Sequence, residues 1–181
     1  MPAAPPAPHA CAAWDVGLGA GLWWLGPFEA TTPFGLREIS GDLLVEADLE
    51  LSYSTHEWTV AALLAVASTD DSDVLLGGLE IRTPPLLDLT FLSDFPLSLT
   101  AAAGILGGTY EVDVNGFGDF APGVGGQARL SLETSRLDTL RVAVWAGLRF
   151  LEFDYDEPTL SGDEAIGGAG LAAGISGVLR F

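Results

Sequence analysis

Hydrophobic and polar residues alternate along most of this 181-residue chain with a period of two. In the segment 43–54, for example, Val45 and Leu49 fall on one face, and Glu46 and Glu50 fall on the other. A period of two is typical of a β-strand with one apolar and one polar face. Eight such segments follow one another between turn-forming residues: Trp14 to Leu25, Leu43 to Ser54, Trp58 to Ala67, Val74 to Thr83, Leu97 to Val112, Val124 to Glu133, Thr139 to Leu151 and Ala165 to Phe181.

The composition indicates where these strands lie. Hydrophobic residues make up 49% of the chain, yet its formal net charge is -18, a combination that a soluble fold does not explain well. No run of about 18 apolar residues exists, which excludes a transmembrane helix. Each segment reaches the roughly 9 to 11 residues with which a tilted strand crosses a bilayer. The sequence therefore predicts an all-β fold, an eight-stranded antiparallel up-and-down transmembrane β-barrel.

The last segment carries the most specific feature of the chain. Residues 165–181 alternate throughout and end on Phe181, with Ile175 and Leu179 on the same face. This ending resembles the closing strand of small bacterial outer-membrane β-barrels of the OmpA, OmpX and OmpW kind. The resemblance implies a place in the cell outer membrane of a Gram-negative cell, contact with outer-membrane lipid, and a structural, adhesive or minor transport role. It also implies insertion by the outer-membrane assembly machinery, with Ile175, Leu179 and Phe181 as the assembly signal.

Aromatic residues near the segment ends predict where the membrane begins and ends, because such barrels carry aromatic girdles at both interfaces. The expected inner girdle consists of Trp14, Tyr53, Trp58 and Phe181, and the expected outer girdle of Trp24, Phe150, Phe153 and Tyr155. Short connections are expected at the periplasmic rim, and the longer ones, 26–42, 113–123 and 154–163, outside. Segment 84–96 is either a periplasmic loop or an extension of the fourth strand past its two prolines.

The polar faces would then point into the barrel, and they carry a charge network. Its members are Asp15, Glu46, Asp48, Glu50, Glu80, Arg82, Arg129, Glu133, Arg141, Arg149 and Arg180. Eight strands leave an interior just wide enough for side chains, so these charges are expected to pair. In particular, Glu46, Asp48 and Glu50 should each meet an arginine of another strand. The network is either a plug that fixes the barrel or a narrow ion path.

Two alternatives have a different chemistry. A soluble lipocalin-like calyx would point the apolar faces inwards, around a lipophilic ligand. A lipid A-modifying barrel enzyme would need a nucleophile and a base. Ser54, His56 and Glu57 have suitable side chains, but they share one tight turn on the rim opposite to that of such enzymes. We therefore predict no enzyme and no cofactor.

The remaining features concern the ends and the loops. Residues 1–13 predict a flexible Pro/Ala-rich leader before a barrel domain at 14–181, and an export signal is expected upstream of it or already removed. Cys11 is alone, so no intramolecular disulfide forms. The negative charge argues against nucleic acid as a partner.

Carboxylates are concentrated in the outer loops, where they could bind divalent cations such as Ca²⁺. They are Glu29, Glu38, Asp42, Asp70, Asp71, Asp73, Glu111, Asp113, Asp119, Glu152, Asp154, Asp156, Glu157, Asp163 and Glu164.

Overall fold

The computed structural model of the chain describes residues 13–25, 28–32, 35–39, 43–55, 57–69, 72–89, 97–114, 117–134, 139–155 and 164–181. The strands within these ranges are β1 (Ala13–Leu25), β2 (Phe28–Thr32), β3 (Gly35–Ile39), β4 (Leu43–Ser54), β5 (Thr59–Ser68), β6 (Ser72–Arg82), β7 (Leu87–Asp88), β8 (Leu97–Val114), β9 (Phe117–Thr134), β10 (Leu140–Tyr155) and β11 (Glu164–Arg180). Over the same ranges, no helix is long and apolar enough to span a membrane. Most of the predicted leader lies outside the described residues.

Eight of these strands close into a barrel. Each pairs antiparallel with its neighbours in the order β1, β4, β5, β6, β8, β9, β10 and β11, and β11 pairs back with β1. The Phe181 N–H donates to the Trp14 carbonyl oxygen at 3.0 Å, and the Arg180 N–H donates to the Thr139 carbonyl oxygen at 2.9 Å. Closure leaves no unpaired edge among the barrel strands. The predicted eight-stranded antiparallel up-and-down barrel is thereby confirmed.

The apolar face of the barrel strands points outwards. Leu18, Ile105 and Val124 lie near the middle or the outer part of their strands, and each is about 70% exposed. Further large apolar residues on the same surface are Leu22, Val45, Leu49, Leu64, Leu79, Leu130, Val144, Leu148, Leu171 and Ile175. A calyx would bury this face and expose the charged one. The calyx interpretation is therefore wrong, because the faces are arranged the other way round.

An aromatic girdle borders this apolar belt on the inner rim. The rings of Trp14 and Tyr53 lie 5.1 Å apart at an interplanar angle of 54°, and Trp58 and Phe181 are also exposed. Trp24 lies ten residues beyond Trp14 on the same face of β1. At a rise of about 3.4 Å per residue and the usual tilt of about 40°, this spacing gives a belt roughly 26 Å tall. That height matches the apolar band of outer-membrane barrels, about 25 Å.

The outer girdle differs from the sequence expectation. Trp24 and Phe150 are exposed on the outer surface, as expected. Phe153 is instead fully buried inside the barrel, where its ring lies 5.4 Å from that of Tyr110. Phe150 and Phe153 are three positions apart on one strand, so they must point to opposite faces. The Tyr155 side chain lies outside the described residues.

Within the segment 84–96, residues 84–89 extend the fourth predicted strand. β7 pairs with β8, which is also the neighbour of β6. The Leu86 N–H donates to the Leu99 carbonyl oxygen at 2.8 Å. Pro84 and Pro85 have no N–H to donate, so they interrupt the ladder between β6 and β7. The pairing reaches Leu89, and the turn that follows lies outside the described residues.

Two outer connections contain strands that the sequence pattern did not predict. Segment 26–42 includes the hairpin β2–β3, with Thr32 opposite Gly35. Segment 113–123 was expected to be a loop, but β8 and β9 stay paired as far as Val114 opposite Phe117. Two strands that hydrogen-bond to each other can continue beyond the bilayer as a ribbon, because their backbone groups satisfy one another.

The exposed belt predicts a depth-dependent cost of charge. Leu18→Arg, near the middle of β1, should lower the free energy of unfolding in lipid by about 2–4 kcal/mol. The matched variant Leu43→Arg, at the outer end of β4, should cost only about 0–1 kcal/mol. Both residues are exposed on the outer surface. Urea unfolding from lipid vesicles measures both values, and an equal cost at the two depths would contradict the assigned belt.

Candidate functional site: the barrel lumen

The polar faces of the barrel strands line its interior, or lumen. All eleven members of the proposed charge network lie on this side of the sheet. Eight are buried, Asp48 and Arg141 are half-buried, and Arg180 is exposed at the inner mouth. Charges that are removed from water destabilise a fold unless they are paired and hydrogen-bonded. The pairing inside the lumen therefore decides whether this interior is stable.

The centre of the lumen holds a cluster of two carboxylates and two guanidiniums. Arg82 Nη2 lies 2.8 Å from Glu50 Oε2 and 3.2 Å from Glu80 Oε1. Arg129 Nη2 lies 3.2 Å from the same Glu50 oxygen and 2.6 Å from the same Glu80 oxygen. Gln127 Nε2 also donates to Glu80, at 3.0 Å. Each charge thus has two partners of opposite sign, and the cluster ties β4, β6 and β9 together.

Arg149 joins this charged region to aromatic rings. Its Nη2 donates to Glu46 Oε1 at 2.8 Å, its Nη1 donates to the other Glu46 oxygen, and its Nε donates to Gln127 Oε1 at 3.1 Å. The guanidinium carbon lies 5.4 Å from the ring centre of Trp23 and 5.9 Å from that of Trp145. A planar guanidinium suits both a bidentate carboxylate and an aromatic face. Lysine would not provide both contacts.

A second ion cluster lies at the inner mouth. Asp15 is fully buried and accepts hydrogen bonds from Arg180 Nε at 3.0 Å, Arg141 Nη2 at 3.2 Å and Ser54 Oγ at 3.1 Å. Arg141 Nη1 donates to Glu133 at 3.2 Å. Asp15 stands on β1, and Arg180 stands on β11. The cluster therefore bridges the first and last strands where the barrel closes.

Two of the three residues considered for catalysis lie within the described part of the chain. Ser54 is part of the inner-mouth cluster, and its hydroxyl also lies 3.1 Å from Thr59 Oγ1. Glu57 is exposed on the turn, and His56 lies outside the described residues. The arrangement gives Ser54 a structural part, as a donor to a buried carboxylate.

Asp48 departs from the expectation that every carboxylate of β4 meets an arginine. It lies between Glu46 and Glu50 on the lumen face, yet it forms no ion pair with any residue that the structure describes, and its Oδ2 is buried without a hydrogen-bond partner. Its carboxylate lies against Gly19, where a Cβ would come within 2.6 Å of Oδ1. Glycine at that position leaves the room that Asp48 occupies. Six carboxylates of the network face five guanidiniums, and Asp48 is the one left over.

The outer third of the lumen is apolar, and we call this part the apolar plug. It comprises Trp23, Leu44, Ala65, Ala67, Val74, Leu76, Leu106, Tyr110, Leu151, Phe153 and Ala172, and it contacts Trp145. The alternation predicts lumen faces that are polar along their whole length, and the apolar plug departs from that prediction. The signal was present in the alternation: Leu44 shares its face with Glu46, and Leu151 shares its face with Arg149.

Two small cavities lie inside the barrel among the residues that the structure describes. One cavity of about 10 Å³ lies beside Asp48, Arg129, Trp145 and Arg149, and a second of about 10 Å³ lies beside Arg129 and Arg141. A cavity of this size holds about one water molecule. Both are far smaller than the lumen of a diffusion channel.

Of the fifteen carboxylates expected to bind divalent cations, six lie outside the described residues: Asp42, Asp70, Asp71, Asp156, Glu157 and Asp163. Within the described part of the chain, no group of three or more His, Cys, Asp or Glu side chains is arranged to hold a metal ion. The backbone register does set acidic residues opposite each other, Asp73 to Glu111 and Glu29 to Glu38. Like charges in such positions repel. Cation binding at the outer loops stays a prediction.

Comparison with solved structures finds the same barrel. The crystal structure of Neisserial surface protein A matches 94% of this chain and 99% of its own chain, with a TM-score of 0.61 and 13% sequence identity. The fold is that of a small outer-membrane β-barrel. With its apolar belt and the exposed aromatic residues at the borders of that belt, the chain is a membrane-spanning barrel of the outer-membrane type. At 13% identity, the likeness to that structure extends to the fold alone.

Two further structures are similar. OprG from Pseudomonas aeruginosa matches 93% of this chain and 96% of its own, with 10% identity and a TM-score of 0.48. Ail from Yersinia pestis matches 91% and 98%, with 12% identity and a TM-score of 0.46. No protein-family model matches the chain, and no curated protein matches it.

The ion pairs predict a difference between two lumen carboxylates. Glu80→Ala should lower the free energy of unfolding by roughly 3–5 kcal/mol, because it leaves two buried guanidiniums, Arg82 and Arg129, with Glu50 as the one remaining carboxylate of the central cluster. Asp48→Asn should cost much less, because Asp48 forms no ion pair among the described residues. Equilibrium unfolding in urea from lipid vesicles measures both variants. Equal losses would contradict the pairing described for the central cluster.

Proposed function

We propose that this outer-membrane barrel is a closed structural unit that presents acidic loops at the cell surface and does not serve as a diffusion pore. The observation that carries the proposal is the filled lumen. Two ion clusters and the Arg149 pair occupy its inner part, the apolar plug occupies its outer part, and the two cavities between side chains hold about one water molecule each. An ion that crossed would have to break buried ion pairs and then enter an apolar region.

The distribution of charge supports a role at the surface. The chain has 25 acidic residues and seven basic ones. Six of the acidic residues and five of the basic ones belong to the lumen network. The lumen is therefore nearly balanced, and the remaining 19 acidic and two basic residues lie elsewhere. A surface with this excess suits adhesion to cationic groups or bridging by divalent cations to the phosphates of outer-membrane lipid.

A narrow ion path is the second candidate function. The observation in its favour is that Arg129 lines both cavities, so one guanidinium separates the two spaces. Movement of its side chain would join them. Such a path would start at the inner mouth and would still meet the apolar plug before it reached the outside.

Conductance across a planar lipid bilayer distinguishes the two functions. The unaltered protein should give no stable channels at concentrations at which a porin control conducts. The double variant Trp23→Ala, Phe153→Ala removes the two fully buried rings of the apolar plug and should show brief openings that the unaltered protein lacks. Stable, ion-selective channels in the unaltered protein would contradict the closed barrel and favour the ion path.

The last residue offers a separate test of the proposed assembly machinery as a partner. Phe181 is 79% exposed, and its backbone makes one hydrogen bond to β1. Deleting Phe181 should therefore barely change the free energy of unfolding of the refolded barrel, but it should reduce the folded fraction in cells several-fold. Heat-modifiable migration on gels measures that fraction, with Leu43→Ala, another exposed apolar site, as the control. An undiminished folded fraction in cells would contradict an assembly role of Phe181.

A further inference from the structure

The second of the two lumen cavities lies between the two ion clusters, and we call it the inner cavity. Its lining includes three of the five lumen guanidiniums, those of Arg82, Arg129 and Arg141. Glu133 is the one carboxylate among the described residues that line it. The other cavity is lined by two guanidiniums and two carboxylates, one of which is Asp48, the carboxylate left without an ion pair among the described residues. The lining of the inner cavity therefore carries an excess of positive charge.

The carboxylates around the inner cavity do not use up the donors of its lining. Glu50 and Glu80 pair with the central guanidiniums through Nη2 alone, and neither carboxylate lines the cavity. Glu133 lines it, but its two oxygens already accept hydrogen bonds, from Thr100 Oγ1 at 2.8 Å and from Arg141 Nη1 at 3.2 Å. A guanidinium carries N–H groups on each of its nitrogens. Every arginine of the lining therefore keeps N–H groups that have no acceptor among the described residues.

Two serine hydroxyls add uncharged donors to the same lining. They belong to Ser131 on β9 and Ser176 on β11. Neither hydroxyl has a hydrogen-bond partner among the described residues, and neither is sealed off from water, whereas the Ser52 hydroxyl on the lumen side of β4 is sealed off. Because Ser131 is only 4% exposed, the accessible surface of its hydroxyl faces the cavity. Buried polar groups are usually hydrogen-bonded, so these hydroxyls need an acceptor inside the cavity.

We propose that the inner cavity binds a monatomic anion such as chloride. The donors of the lining select an acceptor, and its excess of positive charge selects an acceptor that is negative, because hydrogen bonds between charged partners are the stronger ones. A metal cation would be repelled by the guanidiniums. The volume of about 10 Å³ admits one particle close to a water molecule in size, which suits chloride and excludes phosphate and carboxylate ligands. Arg141, whose side chain is 22% exposed, lies where an anion enters from the inner mouth.

The bound anion gives the two ion clusters a common partner. Arg129 belongs to the central cluster and Arg141 to the cluster at the inner mouth, and no hydrogen bond joins the two clusters directly among the described residues. An anion between them attracts guanidiniums of both. It also links β9, β10 and β11, on which Arg129, Arg141 and Ser176 stand. The site goes beyond the proposed function and does not depend on it, since the anion stabilises the barrel whether or not ions cross.

The dependence of stability on chloride tests this site. The refolded protein in lipid vesicles is unfolded with urea in sodium chloride and, at the same ionic strength, in sodium gluconate, whose anion is too large for the cavity. A ligand that binds the folded state alone raises its stability by mass action. The urea midpoint should therefore be higher in chloride, and the difference should grow with the chloride concentration.

Serine variants show whether this shift comes from the inner cavity. The double variant Ser131→Ala, Ser176→Ala removes two donors of the lining and breaks no ion pair, so it should lose most of the chloride-dependent shift. Ser98→Ala is the matched control, because Ser98 is buried on the lumen side and lines neither cavity. This variant should keep the full shift.

Bromide locates the anion directly, because its anomalous scattering identifies it in a crystal of the unaltered protein. A bromide peak is expected in the inner cavity, and this measurement decides the question if the double variant does not fold. The proposal is overturned by equal urea midpoints in chloride and gluconate, which would mean that the cavity holds water. It is also overturned by a chloride-dependent shift that the double variant keeps in full, or by a bromide-soaked crystal with no peak in the inner cavity.

Discussion

Backbone hydrogen bonding in the absence of water is the constraint on which this structure depends. Within the hydrocarbon core of a bilayer, every N–H and C=O must find a partner in the protein, so a sheet that crosses it has to close. The seam between β1 and β11 is where this chain meets that demand. Asp15 and Arg180 bridge the two strands from inside, and the Phe181 backbone holds the end of β11 to β1. The beginning of β1 and the end of β11 are thus fixed at the same rim.

Closure with only eight strands creates the second constraint, a narrow interior. Side chains fill it almost completely, so each charge placed there must find its partner at close range. The central cluster meets this demand by sharing, because each guanidinium serves two carboxylates and each carboxylate serves two guanidiniums. Small residues make the room: Gly19 accommodates Asp48, and Gly174 accommodates Trp145. Replacing either glycine would force a neighbour to move.

A filled interior has a consequence for function. The inner part of the lumen is stabilised by paired charges and the outer part by apolar contacts, and the two are joined where Arg149 lies over Trp23 and Trp145. The two parts of the lumen interior exclude different solutes. The apolar plug opposes the passage of ions, and the ion clusters oppose the passage of apolar solutes. On the proposed function, the activity of the barrel falls to its rims and loops, since 19 of the 25 acidic residues lie outside the lumen network.

The sequence by itself determined the eight barrel strands, their faces and the inner girdle, because alternation and aromatic position are local properties of each segment. Phe150 and Phe153 are separated by an odd number of positions on one strand. The alternation alone would therefore also have predicted that Phe153 points into the barrel. Which charges meet was decided only by the tertiary structure. Glu50 reaches Arg82 and Arg129 while Asp48, two residues away on the same face, reaches neither in an ion pair. Strand register and barrel closure set those distances, and residues far apart in sequence meet through them, so no local pattern contains the answer.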